Sequence, residues 1–453
     1  MPPYAVPVAQ LWADFQGPVT GSEPMTWGQR SIWKAYSEFR PYTSWLNICR
    51  VLAVPRRAAG DVESVTRAVG ELISRHESLR TRIDVAALRQ VPHPDGQLPI
   101  AVTLGSAESM DAESIKDAMG EVPYDYGEEW PLRVTLVTDS SGRVTHLALV
   151  FSHVAVDFHA SEILLRELRL ILLRGKPPGP AGLQSLEIAR REAGPMSHRS
   201  DAARAYWTKE YGHLPKSMFA EVAPPLTPRF RRALLESSAV EGAMRILAAR
   251  HRVSTATVLL AATAALIGEW TGHDRCALFT MVNNRYQAGY QDAISKLNQV
   301  GLFVLELTGR PGLDELIPRT WQSALRAYRH AYYDPLVMDE TLREIGRPPG
   351  SGLEPFCYFN DLRLPNSSAD EGPLPELKTV QDALENTRLT WPETLERFAW
   401  RFRMQVLDTP RGVGLSVTAD SAYLPPQRVE DFLFELEKMV VRAAHQVSRP
   451  DQS

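Results

Sequence analysis

One stretch, residues 147 to 174, constrains the fold more than any other part of the chain: LALVFSHVAVDFHASEILLRELRLILLR. The run Val144–Phe151 is almost continuously apolar, which is typical of a strand buried on both faces. After Asp157, apolar residues recur at spacings of three and four, which predicts an amphipathic helix. We expect that helix to end at Arg174, because Gly175 can cap it and prolines follow.

The short segment between this strand and helix holds a histidine and an aspartate four residues apart, His153 and Asp157. A neutral imidazole is the usual acceptor of a proton from an attacking amine or hydroxyl. Asp157 could orient that ring, cap the following helix, or form a buried ion pair with an arginine from elsewhere. A purely structural role for both residues also stays open at this point.

Two other kinds of chemistry find no support in this segment. There is no GxSxG motif that would identify a serine nucleophile. The HxxxD spacing lacks a third metal ligand unless His159 supplies it, so no metal site is predicted.

The length of 453 residues predicts two domains, since single cores rarely grow so large. Residues 175–200 are rich in proline, glycine and polar residues, so we place the boundary there, between domains 1–180 and 181–453. Strand-like and helix-like patterns alternate in both halves, which indicates an α+β fold. A helix capped by Asp61 is expected to lead into His76, which we interpret as structural.

The composition excludes several classes of partner. A net charge of −4 gives no reason to expect nucleic acid or an acidic membrane as a partner. The three cysteines have no CxxC spacing, which argues against zinc or a disulfide framework and suits a cytoplasmic protein. No signal peptide pattern is visible, and the longest apolar run, residues 256–267, is too short to span a bilayer.

The central segment, with its sequence Ser-His-x-x-x-Asp-Phe, resembles the HHxxxDG signature of the condensation domains of nonribosomal peptide synthetases. That superfamily also contains chloramphenicol acetyltransferase. A lone HxxxD is weak evidence, but further segments are similar to motifs of this family and follow in the same order, from about residue 25 to residue 445. They are residues 26–33 (TxxQxxxW), 75–81 (RHESLRT), 125–132, 206–215, 271–274, 282–285 and 300–304.

The resemblance implies two chloramphenicol-acetyltransferase-like lobes arranged as a V around a central tunnel. It implies a catalytic role for His153 and a structural one for Asp157, paired with Arg285. The acyl donor would be a thioester on the phosphopantetheine arm of an acyl or peptidyl carrier protein, and the acceptor an amine or a hydroxyl. No bound cofactor is implied. Residues 1–24 and 446–453 are too short for an adenylation or carrier segment, so we expect action in trans, as a stand-alone protein or an excised domain.

The chain departs from the family signature at three positions. Ser152 replaces the first histidine, Phe158 replaces the glycine, and Leu305 replaces an asparagine later in the chain. The ring of Phe158 could narrow the tunnel or turn into the core. Two functions therefore stay open: an acyltransferase that forms amides or esters in natural-product biosynthesis, and an inactive relative that recruits a tailoring enzyme or a carrier protein.

Overall fold

A computed structural model describes residues 9–18, 21–105, 111–177, 179–346, 357–363 and 372–446. The chain divides into two compact units. The first contains Met1–Arg199, Asn283–Gln299 and Tyr333–Leu336, and the second contains Ser200–Val282, Val300–Tyr332 and Val337–Ser453. Helices and sheets occur in both units, which confirms the predicted α+β class.

The helices and strands of the first unit follow one another along the chain in this order: β1 (Ala9–Gln16), β2 (Glu23–Pro24), α1 (Trp27–Phe39), β3 (Ile48–Ala53), α2 (Val62–Arg75), β4 (Thr81–Asp84), β5 (Arg89–Pro92), β6 (Asp95–Leu104), α3 (Ala112–Gly120), β7 (Leu132–Thr138), β8 (Val144–Phe151), α4 (Phe158–Arg174) and α5 (Ser185–Ala193). The described strands form a five-stranded sheet in the order β1-β6-β7-β8-β3 and a small sheet in the order β2-β5-β4.

Strand β8 is buried on both faces, as its apolar run predicted. Leu147 and Leu149 point into a core formed with α2 and α4, whereas Ala148 and Val150 point into a second core that includes residues of α3. Alternate side chains of a strand point to opposite faces, so only a run without polar interruptions can fill both cores. This packing fixes the position at which β8 ends, next to His153.

Helix α4 has the boundaries predicted from its caps. Asp157 accepts a hydrogen bond from the Ala160 amide at 2.8 Å, which caps the first turn. Gly175 adopts a left-handed conformation with φ of 68° and donates its amide to the Ile171 carbonyl. The helix is therefore held at both ends by residues visible in the sequence.

The division into units differs from the predicted boundary at residue 180. The segment with linker composition contains α5, and that helix is bound to the first unit: the Leu186 amide donates to Glu77 at 2.9 Å and the Trp27 amide donates to Glu192 at 2.8 Å. The first unit also includes residues 283–299, from the middle of the supposed second domain. Composition alone could not reveal these contacts, because they join residues far apart in the sequence.

The second unit contains, in chain order, α6 (Ser197–Tyr211), β9 (Phe230–Ser237), α7 (Ser238–His251), α8 (Thr255–Thr271), β10 (Arg275–Val282), β11 (Gln299–Glu306), α9 (Leu313–Arg329), α10 (Pro335–Glu344), β12 (Cys357–Asp361), α11 (Leu377–Asp382), β13 (Arg388–Leu395), β14 (Phe402–Thr409), β15 (Gly412–Asp420) and α12 (Pro426–His445). Its described strands form a sheet in the order β11-β10-β12-β14-β15-β9-β13.

No single helix among the described residues has both the length and the hydropathy needed to cross a bilayer. The bent pair α7 and α8 satisfies those limits together, by length and composition.

Candidate active site

The candidate site lies in the turn between β8 and α4. The Ser152 amide donates to the Pro131 carbonyl at 3.0 Å, which binds the start of the turn to the residue just before β7. The amides of Ala155 and Val156 both donate to the Ser152 carbonyl, at 3.0 and 3.2 Å. The backbone that carries His153 is therefore fixed by hydrogen bonds rather than free to move.

His153 has a defined tautomer. Its Nδ1 lies 2.7 Å from the Val156 carbonyl oxygen, and because a carbonyl can only accept, Nδ1 must carry the proton. Nε2 then has a lone pair, and no group of the described residues bonds to it. Burial, together with the nearby Lys296 ammonium, lowers the pKa of His153 to about 4, so the ring is neutral near pH 7.

Asp157 is enclosed and fully engaged. Its Oδ1 lies 2.8 Å from Arg285 Nη2, and its Oδ2 accepts from the amides of Leu297 and Asn298 at 3.1 and 3.2 Å. Burial alone would raise the pKa of Asp157, but the Arg285 charge and these hydrogen bonds outweigh it, so the pKa lies below its ordinary value. The carboxylate is therefore ionised.

Two of the three roles left open for Asp157 are thus observed together: it caps α4 and it pairs with an arginine. The ring of His153 is oriented instead by the carbonyl of Val156. A carboxylate has two oxygens and several acceptor positions, so one side chain can cap a helix and also bind Arg285.

Arg285 binds backbone carbonyls of the segment 283–299, which belongs to the first unit. Its Nη1 donates to the carbonyls of Tyr290 and Ala293 at 3.2 and 2.7 Å, and its Nη2 also reaches the Ser295 carbonyl at 3.3 Å. The guanidinium therefore joins residues 285–295 to Asp157, and through it to the turn that carries His153.

Two of the three altered signature positions, Ser152 and Phe158, lie beside the turn and have different surroundings. Ser152 is buried, its hydroxyl has no hydrogen-bond partner among the described residues, and it lines a cavity of about 10 Å³ with Ser78 and Tyr126. Phe158 is 40% exposed and does not turn into the core. Its ring instead stacks under Arg50, whose Cζ lies 4.0 Å from the ring centroid.

His76 has the structural role expected from the sequence. Its Nε2 lies 2.7 Å from Glu167 Oε2, and Arg75 Nε lies 2.9 Å from the same oxygen. Glu167 belongs to α4, so these contacts bind the end of α2 to that helix. Among the described residues, no cluster of three or more histidine, cysteine or acidic side chains is placed to hold a metal.

Lys296 is a site residue that the sequence did not indicate. It is 2% exposed, and the backbone amides of the next two residues, Leu297 and Asn298, donate to Asp157. Nothing in its local sequence, ISKLNQ, distinguishes it from a surface lysine. Its position becomes apparent only when residues 283–299 are seen to return to the first unit.

The family model described as "Condensation domain" matches residues 24–345. The chain belongs to the condensation domain family. Condensation domains are acyl-transferring units of nonribosomal peptide synthetases, and synthetases are among the relatives of this condensation domain. Chondramide synthase cmdD from Chondromyces crocatus is 25% identical over 370 residues, which covers 77% of this chain but 9% of that protein.

Solved structures of related domains share its fold. The condensation domain of the monacolin K polyketide synthase MokA matches with a TM-score of 0.72 at 17% identity, over 94% of this chain and 98% of that chain. The X-domain in a complex of the X-domain and OxyB from teicoplanin biosynthesis matches with a TM-score of 0.67 at 16% identity, over 94% of both chains. At these identities the likeness concerns the fold alone.

Proposed function

We propose that this condensation domain transfers an acyl group from a carrier-protein thioester to an amine or hydroxyl, with His153 as the base. The observation that carries the proposal is the state of the ring: Nδ1 is fixed on the Val156 carbonyl and Nε2 retains its lone pair. An imidazole held in this way can accept a proton only at Nε2. Asp157 and Arg285 support it by holding the turn and have no contact with the reacting atoms in this proposal.

The proposed reaction begins when the acceptor nitrogen attacks the thioester carbonyl carbon and a carbon–nitrogen bond forms. The attacking nitrogen becomes acidic as it gains positive charge, and its proton passes to His153 Nε2. The carbon–sulfur bond of the tetrahedral intermediate then breaks, and the departing thiolate of the phosphopantetheine arm takes the proton from Nε2. Because the pKa of His153 is about 4, the ring is a weak base. It accepts the proton only after the attacking nitrogen has gained positive charge, and it readily gives that proton to the departing thiolate.

The test uses an acylated carrier protein, an amine acceptor and intact-mass detection of acyl loss. Replacing His153 with alanine should lower the rate by about 10²–10⁴-fold, the usual contribution of a general base. His159→Ala is the matched control, because His159 is exposed in the first turn of α4 and should be dispensable. Equal rates for the wild type and His153→Ala would contradict the proposal.

A second candidate function is recruitment of a tailoring enzyme or a carrier protein by an inactive domain. Two observations support it: Ser152 and Phe158 depart from the signature, and the fold is shared by an X-domain whose structure includes OxyB. This function predicts no acyl loss with any carrier substrate, and measurable binding of a purified tailoring enzyme that is unaffected by His153→Ala. We further propose a cytoplasmic location, where carrier-protein thioesters would be available.

A further inference from the structure

Two buried serine residues line the same small cavity beside the turn that carries His153. Ser152 lies at the start of that turn, and Ser78 lies in the 3₁₀ turn Glu77–Arg80, which connects α2 to β4. We infer that this cavity is a binding site for one water molecule, which bridges the two serine hydroxyls. The site is independent of the proposed acyl transfer, so it exists in an active and in an inactive domain alike.

Both hydroxyls are enclosed and unbonded. Ser152 is 1% exposed and Ser78 is 2% exposed, and neither Oγ atom has a hydrogen-bond partner among the described residues. A buried hydroxyl has lost the water that solvated it in the unfolded chain, so it destabilises the fold unless another group replaces those hydrogen bonds. Buried polar groups in folded proteins are accordingly bonded to protein atoms or to ordered water.

Neighbouring hydroxyls in the lining of the cavity are already used as donors. The Tyr124 hydroxyl donates to the Val150 carbonyl at 2.6 Å, and the Thr81 hydroxyl donates to the Glu77 carbonyl at 2.6 Å. Each of these groups has a single proton, so neither can donate to the serine hydroxyls as well. The two unbonded hydroxyls thus lie on one cavity without a donor from these neighbours.

The size of the cavity selects the ligand. Its volume is about 10 Å³, which is at the lower limit of the roughly 10–15 Å³ that one water molecule requires. A second water, an acyl chain or an amino acid side chain does not fit. A buried water needs at least two polar partners, and the hydroxyls of Ser78 and Ser152 supply them, since each can donate or accept.

The bridge joins segments that are far apart in the chain. Ser152 belongs to the turn after β8, whereas Ser78 belongs to the segment that follows α2. In the family signature the position of Ser152 is a histidine, whose side chain is longer than that of serine. We conclude that the water extends the reach of the short Ser152 side chain to Ser78, and that Ser152 binds this water rather than a substrate.

A double-mutant cycle in urea unfolding tests the bridge, with Ser78→Ala, Ser152→Ala and the double variant. Either single substitution removes one partner of the water and should raise the unfolding equilibrium constant by roughly 2- to 10-fold, the range for one net hydrogen bond. The double variant should be little less stable than either single variant, because the first substitution has already broken the bridge. Removing a hydroxyl that bonds nothing would instead leave the stability unchanged or raise it.

Ser295 provides the matched control. It is also buried with an unbonded hydroxyl, but it does not line this cavity. The effects of Ser78→Ala and Ser295→Ala should therefore add in their double variant. Additive effects for Ser78→Ala and Ser152→Ala would overturn the inference, as would single substitutions that do not destabilise the protein.

A crystal structure of the full chain, at a resolution that shows ordered water, tests the site directly. The wild type should show one water oxygen at about 2.5–3.0 Å from both Oγ atoms, and the double variant should lack it. An empty cavity in the wild type, or a water bonded to one serine alone, would refute the bridge. Neither measurement requires turnover, so absence of acyl transfer would refute the proposed function without affecting this inference.

Discussion

Replacing Asp157 should destabilise the protein far more than losing an ordinary helix cap. Its carboxylate is 1% exposed and accepts hydrogen bonds from Arg285 and from the amides of Ala160, Leu297 and Asn298. Asp157→Ala removes these bonds and leaves the buried Arg285 guanidinium without its counter-charge. Breaking a buried pair from one side costs about 3–5 kcal/mol, a large share of the ~5–15 kcal/mol that typically stabilises a folded protein.

Asp61 provides a matched control. It caps α2 by the same bond, accepting from the Ser64 amide at 2.8 Å, but it is exposed and has no salt bridge among the described residues. Urea unfolding followed by circular dichroism should place Asp157→Ala well below Asp61→Ala in unfolding free energy. If both substitutions cost the same, Asp157 acts only as a cap and our account of the buried pair is wrong.

The same pair predicts a pH dependence of stability. The pKa of Asp157 is lowered in the folded state, so its contribution is complete above the ordinary carboxyl value of about 4 and is lost as the pH falls through the folded-state value. The difference in unfolding free energy between the wild type and Asp157→Asn should therefore be constant from pH 5 to 7 and shrink below pH ~4. A difference that grows on acidification would refute this sign.

The remaining predictions concern the surroundings of the turn. Phe158→Gly should lower the free energy of unfolding by about 1 kcal/mol, because it removes the ring that stacks on Arg50. A calorimetric scan measures the loss as a lower unfolding temperature. Gly28→Ala should cost about 1–3 kcal/mol in urea unfolding, since the new Cβ would collide with the Lys296 carbonyl, whereas Gly127→Ala meets no atom closer than 3.6 Å and should cost much less. With a hydroxyl acceptor, which does not itself change protonation in this range, the rate of acyl transfer should fall only as the pH approaches about 4, and a fall near the ordinary histidine value of 6.5 would contradict the lowered pKa of His153.

The local sequence was sufficient to predict a helix or strand where the residues that begin and end it lie directly beside it in the chain. The strand β8 and the helix α4 were predicted because an apolar run, a capping aspartate and a capping glycine follow directly along the chain. The pairing of Asp157 with Arg285 was expected only through the family resemblance. No local pattern links two residues separated by 128 positions.

The tertiary structure decided the features that depend on distant neighbours. Strand β13 is mostly exposed and contains Pro392, so no apolar pattern marks it, and it forms a strand because it pairs with β9. The environment of His153 was decided in the same way. Residues 283–299 belong to the first unit and Lys296 is buried there, and the pKa of His153 is lowered first by burial of the ring and then by the Lys296 charge. The sequence alone determined which side chains are available for chemistry, whereas their charge states depend on solvent exposure and on neighbours that only folding brings together.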